Sequence, residues 1–79
     1  MVIRLKYFGQ IAEIVGRTEE QVQTNLQTLN DLLYSISKSF PEVEEVLFAV
    51  FVNNKKIEDL SSTISENDEI CLMPPFAGG

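Results

Sequence analysis

Thr28-Leu29-Asn30-Asp31-Leu32-Leu33-Tyr34-Ser35-Ile36-Ser37-Lys38-Ser39-Phe40-Pro41 carries the strongest local signal in this 79-residue chain. Leu29, Leu32, Leu33 and Ile36 stand at i, i+3, i+4 and i+7, with Phe40 one further turn along. That spacing draws one continuous apolar stripe on an α-helix. Thr28 is a suitable cap, and Asp31 in the first turn suits the positive end of the helix dipole. Pro41 stops the helix at or just before Phe40, because the residue before a proline avoids helical geometry. One amphipathic helix covers one face of a sheet, so the flanking sequence has to supply the strands.

Upstream, residues 2–8 read as a strand with Ile3, Leu5 and Tyr7 on the core face. Arg4 and Lys6 fall on the other face, with Phe8 an apolar exception among them. Gly9 breaks the strand, Gln10–Val15 makes a short helical turn, and Gly16 ends it. Residues 18–24 are polar apart from Val22 and suit an edge strand. Downstream, Glu42-Val43-Glu44-Glu45 reads as a solvated acidic loop or turn rather than a binding tail. Residues 48–52 form a β-rich run, followed by Asn53-Asn54-Lys55-Lys56 as a polar hairpin turn. Ile57 and Leu60 lie in a short return segment. Ser65-Glu66-Asn67-Asp68 is a second turn, Glu69–Met73 the last strand, and Pro74 and Pro75 end it. No repeat, linker or low-complexity segment interrupts this, so residues 1–79 are expected to form one domain. A helix crossover lets the first and last strands lie side by side in the middle. The predicted fold is α+β, a β-grasp (ubiquitin-like) arrangement with a mixed sheet packed on one main helix. Architecture of this kind leaves function open.

Composition closes several routes. With no histidine, the usual neutral-pH base and metal ligand are both missing. One cysteine makes neither an internal disulfide nor a thiolate cage. No metal site and no bound cofactor are therefore expected. A chain this short buries only about 60% of its unfolded surface, which leaves little room for a deep active site. Its stability scale is roughly 4–12 kcal/mol. Twelve acids against six bases, a net charge of −6, argue against nucleic acid as a partner and fit a basic protein surface better. The start, Met1-Val2-Ile3-Arg4-Leu5-Lys6, lacks the apolar run of a signal peptide, and no stretch is long enough to span a bilayer. A cytoplasmic location without membrane attachment is expected.

The last residues, Met73-Pro74-Pro75-Phe76-Ala77-Gly78-Gly79, are the most informative for function. Two prolines favour a stiff extended conformation, and residues 74–79 read as a flexible tail reaching at most about 20 Å. Gly78 and Gly79 have no side chains, so their backbone can thread a narrow tunnel. A free carboxylate is a poor electrophile, so acyl transfer from Gly79 requires activation, for example as an acyl-adenylate made from ATP. The competing reading of a lone Gly-Gly is a frayed, functionless end. That reading weakens when Gly-Gly follows Pro-Pro-Phe directly after a core strand.

Taken together, these residues resemble the small subunit of molybdopterin synthase, the MoaD family of ubiquitin-like sulphur carriers. Leu5-Lys6-Tyr7-Phe8-Gly9-Gln10-Ile11-Ala12-Glu13-Ile14-Val15-Gly16 is similar to the family's opening strand and helical turn. Asn67-Asp68-Glu69-Ile70 followed by the Pro-Pro-x-x-Gly-Gly ending carries the rest. Related carriers for thiazole synthesis usually lack the double proline. Asn67 departs from a frequent glycine, but asparagine also tolerates positive φ. The resemblance implies a carrier cycle in which a ubiquitin-activating-like adenylyltransferase consumes ATP to adenylate Gly79. A persulfide donor then supplies sulphur to make a thiocarboxylate. The carrier docks on the synthase large subunit in a heterotetramer and donates sulphur to cyclic pyranopterin monophosphate, forming the molybdopterin dithiolene. Catalytic side chains are then expected on the partners, with Gly79 the reacting group and Gly78 threading the tail. A protein modifier, a carrier for thiazole or another metabolite, and an inert interaction module are the competing readings.

The remaining apolar residues bear on partner binding. Cys71, inside the last strand, reads as a small buried hydrophobe rather than a reactive thiol. If Ile70 and Leu72 face the helix, Cys71 and Met73 face away, as do Phe8 and Phe51. Phe8, Phe51, Met73 and Phe76, with Pro74, Pro75 and Ala77 of the tail, are therefore candidates for a partner-binding patch. The competing reading is a second small core with residues 10–15 folded over that face. Lys55 and Lys56 read as solvated turn residues.

Overall fold

The computed structural model describes residues 1–75. Its elements are β1 (Val2–Tyr7), α1 (Gln10–Val15), β2 (Glu19–Gln23), α2 (Leu29–Ser39), a 3-10 helix (Pro41–Glu45), β3 (Ala49–Val52), β4 (Lys55–Ile57) and β5 (Glu69–Met73). The strands form one sheet in the order β2-β1-β5-β3-β4. β1 and β5 pair in parallel at its centre, with Leu5 opposite Ile70 and Tyr7 opposite Leu72. The other pairs are antiparallel. This is the mixed β-grasp sheet expected from the sequence, with the first and last strands adjacent.

The α2 helix starts as its sequence dictates. Thr28 Oγ1 accepts a hydrogen bond from the Asp31 N–H at 3.2 Å, which satisfies one of the orphan donors of the first turn. Thr28→Ala is expected to lower stability by about 1 kcal/mol, read as a shift of the urea midpoint without a change in slope. Leu29, Leu32 and Ile36 are buried against the sheet. They meet Ile3, Leu5 and Tyr7 of β1, Val50 of β3, and Ile70 and Leu72 of β5 in one core. Ile11 and Val15 of α1 join the same core, on the α2 side of the sheet. The alternative in which residues 10–15 fold over the opposite face is therefore not what the chain does.

Two connectors differ from their sequence readings. The acidic connector after Pro41 winds into a 3-10 helix and is not wholly solvated, since Val43 is only 3% exposed in the core. Its glutamates stay in solvent, but one buried side chain in a turn of three residues is enough to fix the helix. The β3–β4 hairpin turns on Asn53 and Asn54 alone, at φ 51° and 70°. Two successive positive φ values define the tight hairpin turn whose twist matches the strands, and asparagine tolerates them. Lys55 and Lys56 consequently belong to β4, opposite Val52 and Phe51, and both remain exposed. Asn53 also ties the hairpin to the turn before β5. Its Nδ2 donates to Asp68 Oδ1 at 2.9 Å, and its Oδ1 accepts from the Glu69 N–H at 3.0 Å. Asn67 sits at φ 67°, in the left-handed conformation anticipated for it.

Tyr7 belongs to the core yet carries a titratable polar end, and its hydroxyl donates to Glu20 Oε2 at 2.5 Å. Arg17 Nη1 holds the other carboxylate oxygen at 2.9 Å. Burial, and secondarily the hydrogen bond and negative charge of Glu20, push the Tyr7 pKa well above its ordinary value. The unfolded chain then loses this proton first, from about pH 10 upward. The contribution of Tyr7 is complete below that pH and declines as pH rises. The stability difference between wild type and Tyr7→Phe is expected to shrink between pH 9 and 11, measured by urea unfolding at each pH.

Candidate functional site

β5 delivers the chain from the middle of the sheet to one end, where Pro74 and Pro75 follow Met73 directly. The exit is built around Gly9. At φ 61° and ψ −138° this residue occupies backbone space that side chains avoid. A Cβ added there would stand 3.0 Å from Pro74 Cγ. The first proline of the tail therefore rests on bare backbone, in a cleft of about 240 Å³ formed with Phe8, Val46 and Leu47. Pro75 borders a neighbouring cleft with Leu33, Phe48, Leu60 and Lys56.

On the sheet face opposite α2, the register arranges two zones. Arg4 lies opposite Glu69, and Glu69 Oε2 is 3.5 Å from Arg4 Nη2 and 3.6 Å from Lys6 Nζ. These partly solvated pairs are worth roughly 0–1 kcal/mol each and act mainly as a charged surface. Toward the tail the face becomes apolar, with Phe51 opposite Cys71 and Ala49 opposite Met73. Phe51 and Met73 are half-buried and Phe8 is 43% exposed. Cys71 is buried, only 5% exposed, and burial, followed by the charge of Glu69, pushes its thiol pKa up. A thiol in that state is a poor nucleophile, in keeping with a packing role.

The structure thus brings Phe8, Phe51, Met73, Pro74 and Pro75 to the tail end of the molecule. Phe8 and Pro74 share one cleft, whereas Phe51 lies a row deeper in the sheet face. Phe76, Ala77, Gly78 and Gly79 lie outside the described residues. Two positions were missed as site residues. Leu47 is 83% exposed beside Pro74, and Gly9 is the seat of Pro74. The signal for Leu47 was available: Val46-Leu47-Phe48 is an apolar triplet entering a strand, and strand alternation cannot bury all three. Nothing in the sequence alone pairs Gly9 with Pro74, which lies 65 residues further along. Among the described residues, no helix is long and apolar enough to cross a membrane, and no cluster of three or more potential ligands is placed to hold a metal ion.

The ThiS family model matches residues 5–79, almost the whole chain. The chain belongs to the ThiS family. Solved structures agree on the fold. A Pyrococcus furiosus chain assigned as molybdopterin converting factor, subunit 1, superposes with a TM-score of 0.83 at 19% identity, covering 95% of this chain and 98% of that one. Small archaeal modifier protein 1 of Haloferax volcanii gives 0.76 at 22% identity, over 94% and 97% of the two chains. A chain from the complex of subunits 1 and 2 of the Helicobacter pylori molybdopterin-converting factor gives 0.69 at 25% identity, over the full length of both. This ThiS-family protein is a ubiquitin-fold sulphur carrier of the ThiS/MoaD type, with its tail leaving the central strand at an apolar end of the sheet.

Proposed function

We propose that this protein is the sulphur-carrier subunit of molybdopterin synthase, with Gly79 as the carrying residue. The observation that carries the reading is the Pro74-Pro75-x-x-Gly78-Gly79 sequence leaving the central strand β5 beside an apolar cleft. The 25% identity over full length to a chain of a two-subunit molybdopterin-converting factor supports the choice of pathway. In the proposed cycle, a Gly79 carboxylate oxygen attacks the α-phosphate of ATP on an adenylyltransferase and pyrophosphate leaves. The terminal sulphur of a persulfide donor displaces AMP, and reduction of the resulting S–S bond by a thiol leaves a thiocarboxylate. The large subunit then receives the tail, and the thiocarboxylate sulphur takes the place of an oxygen on cyclic pyranopterin monophosphate, which leaves as water. Hydrolysis of the resulting thioester keeps the sulphur on the pterin side chain and returns Gly79 as a carboxylate. Phe8, Leu47, Phe51, Met73 and Pro74 form the apolar docking surface around the tail, and the acid–base groups belong to the partners.

Intact-mass analysis tests this reading after incubation with ATP, an activating enzyme and a persulfide donor. The expected result is a mass gain corresponding to sulphur replacing one oxygen. The same preparation should support dithiolene formation with a molybdopterin-synthase large subunit. No gain, with the activating enzyme competent on a control carrier, overturns the proposal. The likeness to small archaeal modifier protein 1 favours a second reading, in which Gly79 forms isopeptide bonds to lysines. Conjugates that survive reduction on a denaturing gel would support that reading instead.

A further inference from the structure

On the helical side of the molecule, α2 and the 3-10 helix flank an apolar groove of about 400 Å³. Leu33, Val43, Val46 and Phe48 form its floor, and Tyr34 and Glu44 stand on its rim. Tyr34 is 64% exposed, a large aromatic side chain with no core position, and Lys38 Nζ stands over its ring, 5.3 Å from the centroid. Glu42, Glu44 and Glu45 are all exposed along the 3-10 helix. None of the three takes part in an ion pair among the described residues.

Charge sorts the occupants such a groove would accept. A second copy of this chain, at −6, brings net repulsion to three uncompensated carboxylates. The chain's own tail would bring a carboxylate at Gly79 to the same rim. A segment with apolar side chains on one stripe and Lys or Arg beside them gains both burial and charge pairing.

We propose that the groove between α2 and the 3-10 helix docks a basic amphipathic helix of a partner protein. Its apolar stripe covers Leu33, Tyr34 and Phe48, and its cations face Glu42, Glu44 and Glu45. The groove lies on the α2 side of the sheet, and the face carrying Phe51 and Met73 lies on the other. A partner held in the groove leaves the Phe51 and Met73 face open, while it borders the tail exit, because Leu33 and Phe48 also line the cleft beside Pro75.

The experiment titrates isotope-labelled full-length chain with a synthetic lysine-rich amphipathic helix carrying a leucine stripe, followed by amide NMR shifts. Saturable shifts centred on Asn30, Leu33, Tyr34, Ser37 and Glu44 are expected. Combining E42K with E44K should weaken binding about tenfold, as expected for reversing one charge on the rim and one beside it on the 3-10 helix. Combining E13K with E19K, an equal charge change elsewhere on the surface, should leave affinity unchanged. The spectra themselves report whether each variant is folded. Shifts centred instead on Lys6, Phe51 and Met73 overturn the proposal, as does equal weakening by the two charge reversals. Equal affinity for a peptide with glutamate in place of lysine overturns it too. Groove shifts in peptide-free protein on removal of residues 76–79 would make the chain's own tail the occupant. Groove shifts on dilution of peptide-free protein would make it a second copy. Either result also overturns the proposal.

Discussion

Deleting Gly78 and Gly79 is expected to abolish thiocarboxylate formation and dithiolene synthesis completely, while leaving the urea midpoint of the protein unchanged. The reacting carboxylate would then sit on Ala77, two residues short. Two residues of extended chain are about 7 Å, and a misplacement of even 1 Å at a reacting centre can cost a hundredfold. Among the described residues, the buried core runs from Ile3 to Leu72. The informative measurement is therefore a pair: intact mass after the activation reaction, and unfolding in urea. Retained sulphur loading in the truncated protein would remove Gly79 from the chemistry. Loss of loading accompanied by a large fall in stability would show that the tail serves the fold, which its position after β5 argues against.

The largest expected stability effect is at Leu72. This side chain is fully buried and sits opposite Tyr7 on one side and Val50 on the other. Its position in the central strand leaves neighbours on both flanks held by their own ladders, so the cavity left by truncation collapses poorly. Leu72→Ala is expected to cost about 2–5 kcal/mol, against a total of roughly 4–12 kcal/mol for a chain of this size. The urea midpoint should fall by about a sixth or more. Met73→Ala, one residue further on the half-buried opposite face, should cost far less in stability and show its effect in partner binding. Equal destabilisation by the two changes would contradict the facing of β5 described above.

Much of this was legible in the sequence because the decisive patterns are long or chemically distinctive. The 3.6-residue stripe from Leu29 to Phe40 gave α2, and Glu69–Met73 reads as a strand with the bounds it has. Alternation from Ile3 to Tyr7 placed the core face of β1 correctly and left Phe8 exposed. The misreadings are short. Lys55 and Lys56 look like turn residues by polarity, but an edge strand at the surface accepts polar residues, and two asparagines sufficed for the turn. Glu42 to Glu45 looks like a loop because a 3-10 helix carries no periodic stripe that can be recognised over five residues. The tail itself was recognised by residue type, whereas its seat on Gly9 is a tertiary contact that no local pattern announces. Leu47 is hard to single out because a consecutive apolar run suggests burial, although here it marks the rim of the exit.

The parallel pairing of β1 with β5 also has a mechanical side. The Met1 end of β1 and the Pro74 end of β5 lie at opposite ends of the pair, so tension applied between them loads the ladder lengthwise. Its hydrogen bonds then have to yield together rather than one after another, as they would in a hairpin peeled from its open end. β3 grips the other flank of β5 along four register positions. A partner that draws on the tail while holding the body near β1 therefore meets a stiff spring in series with the load. Of the sheet's components, the two strands nearest the tail are the last that such a pull would separate.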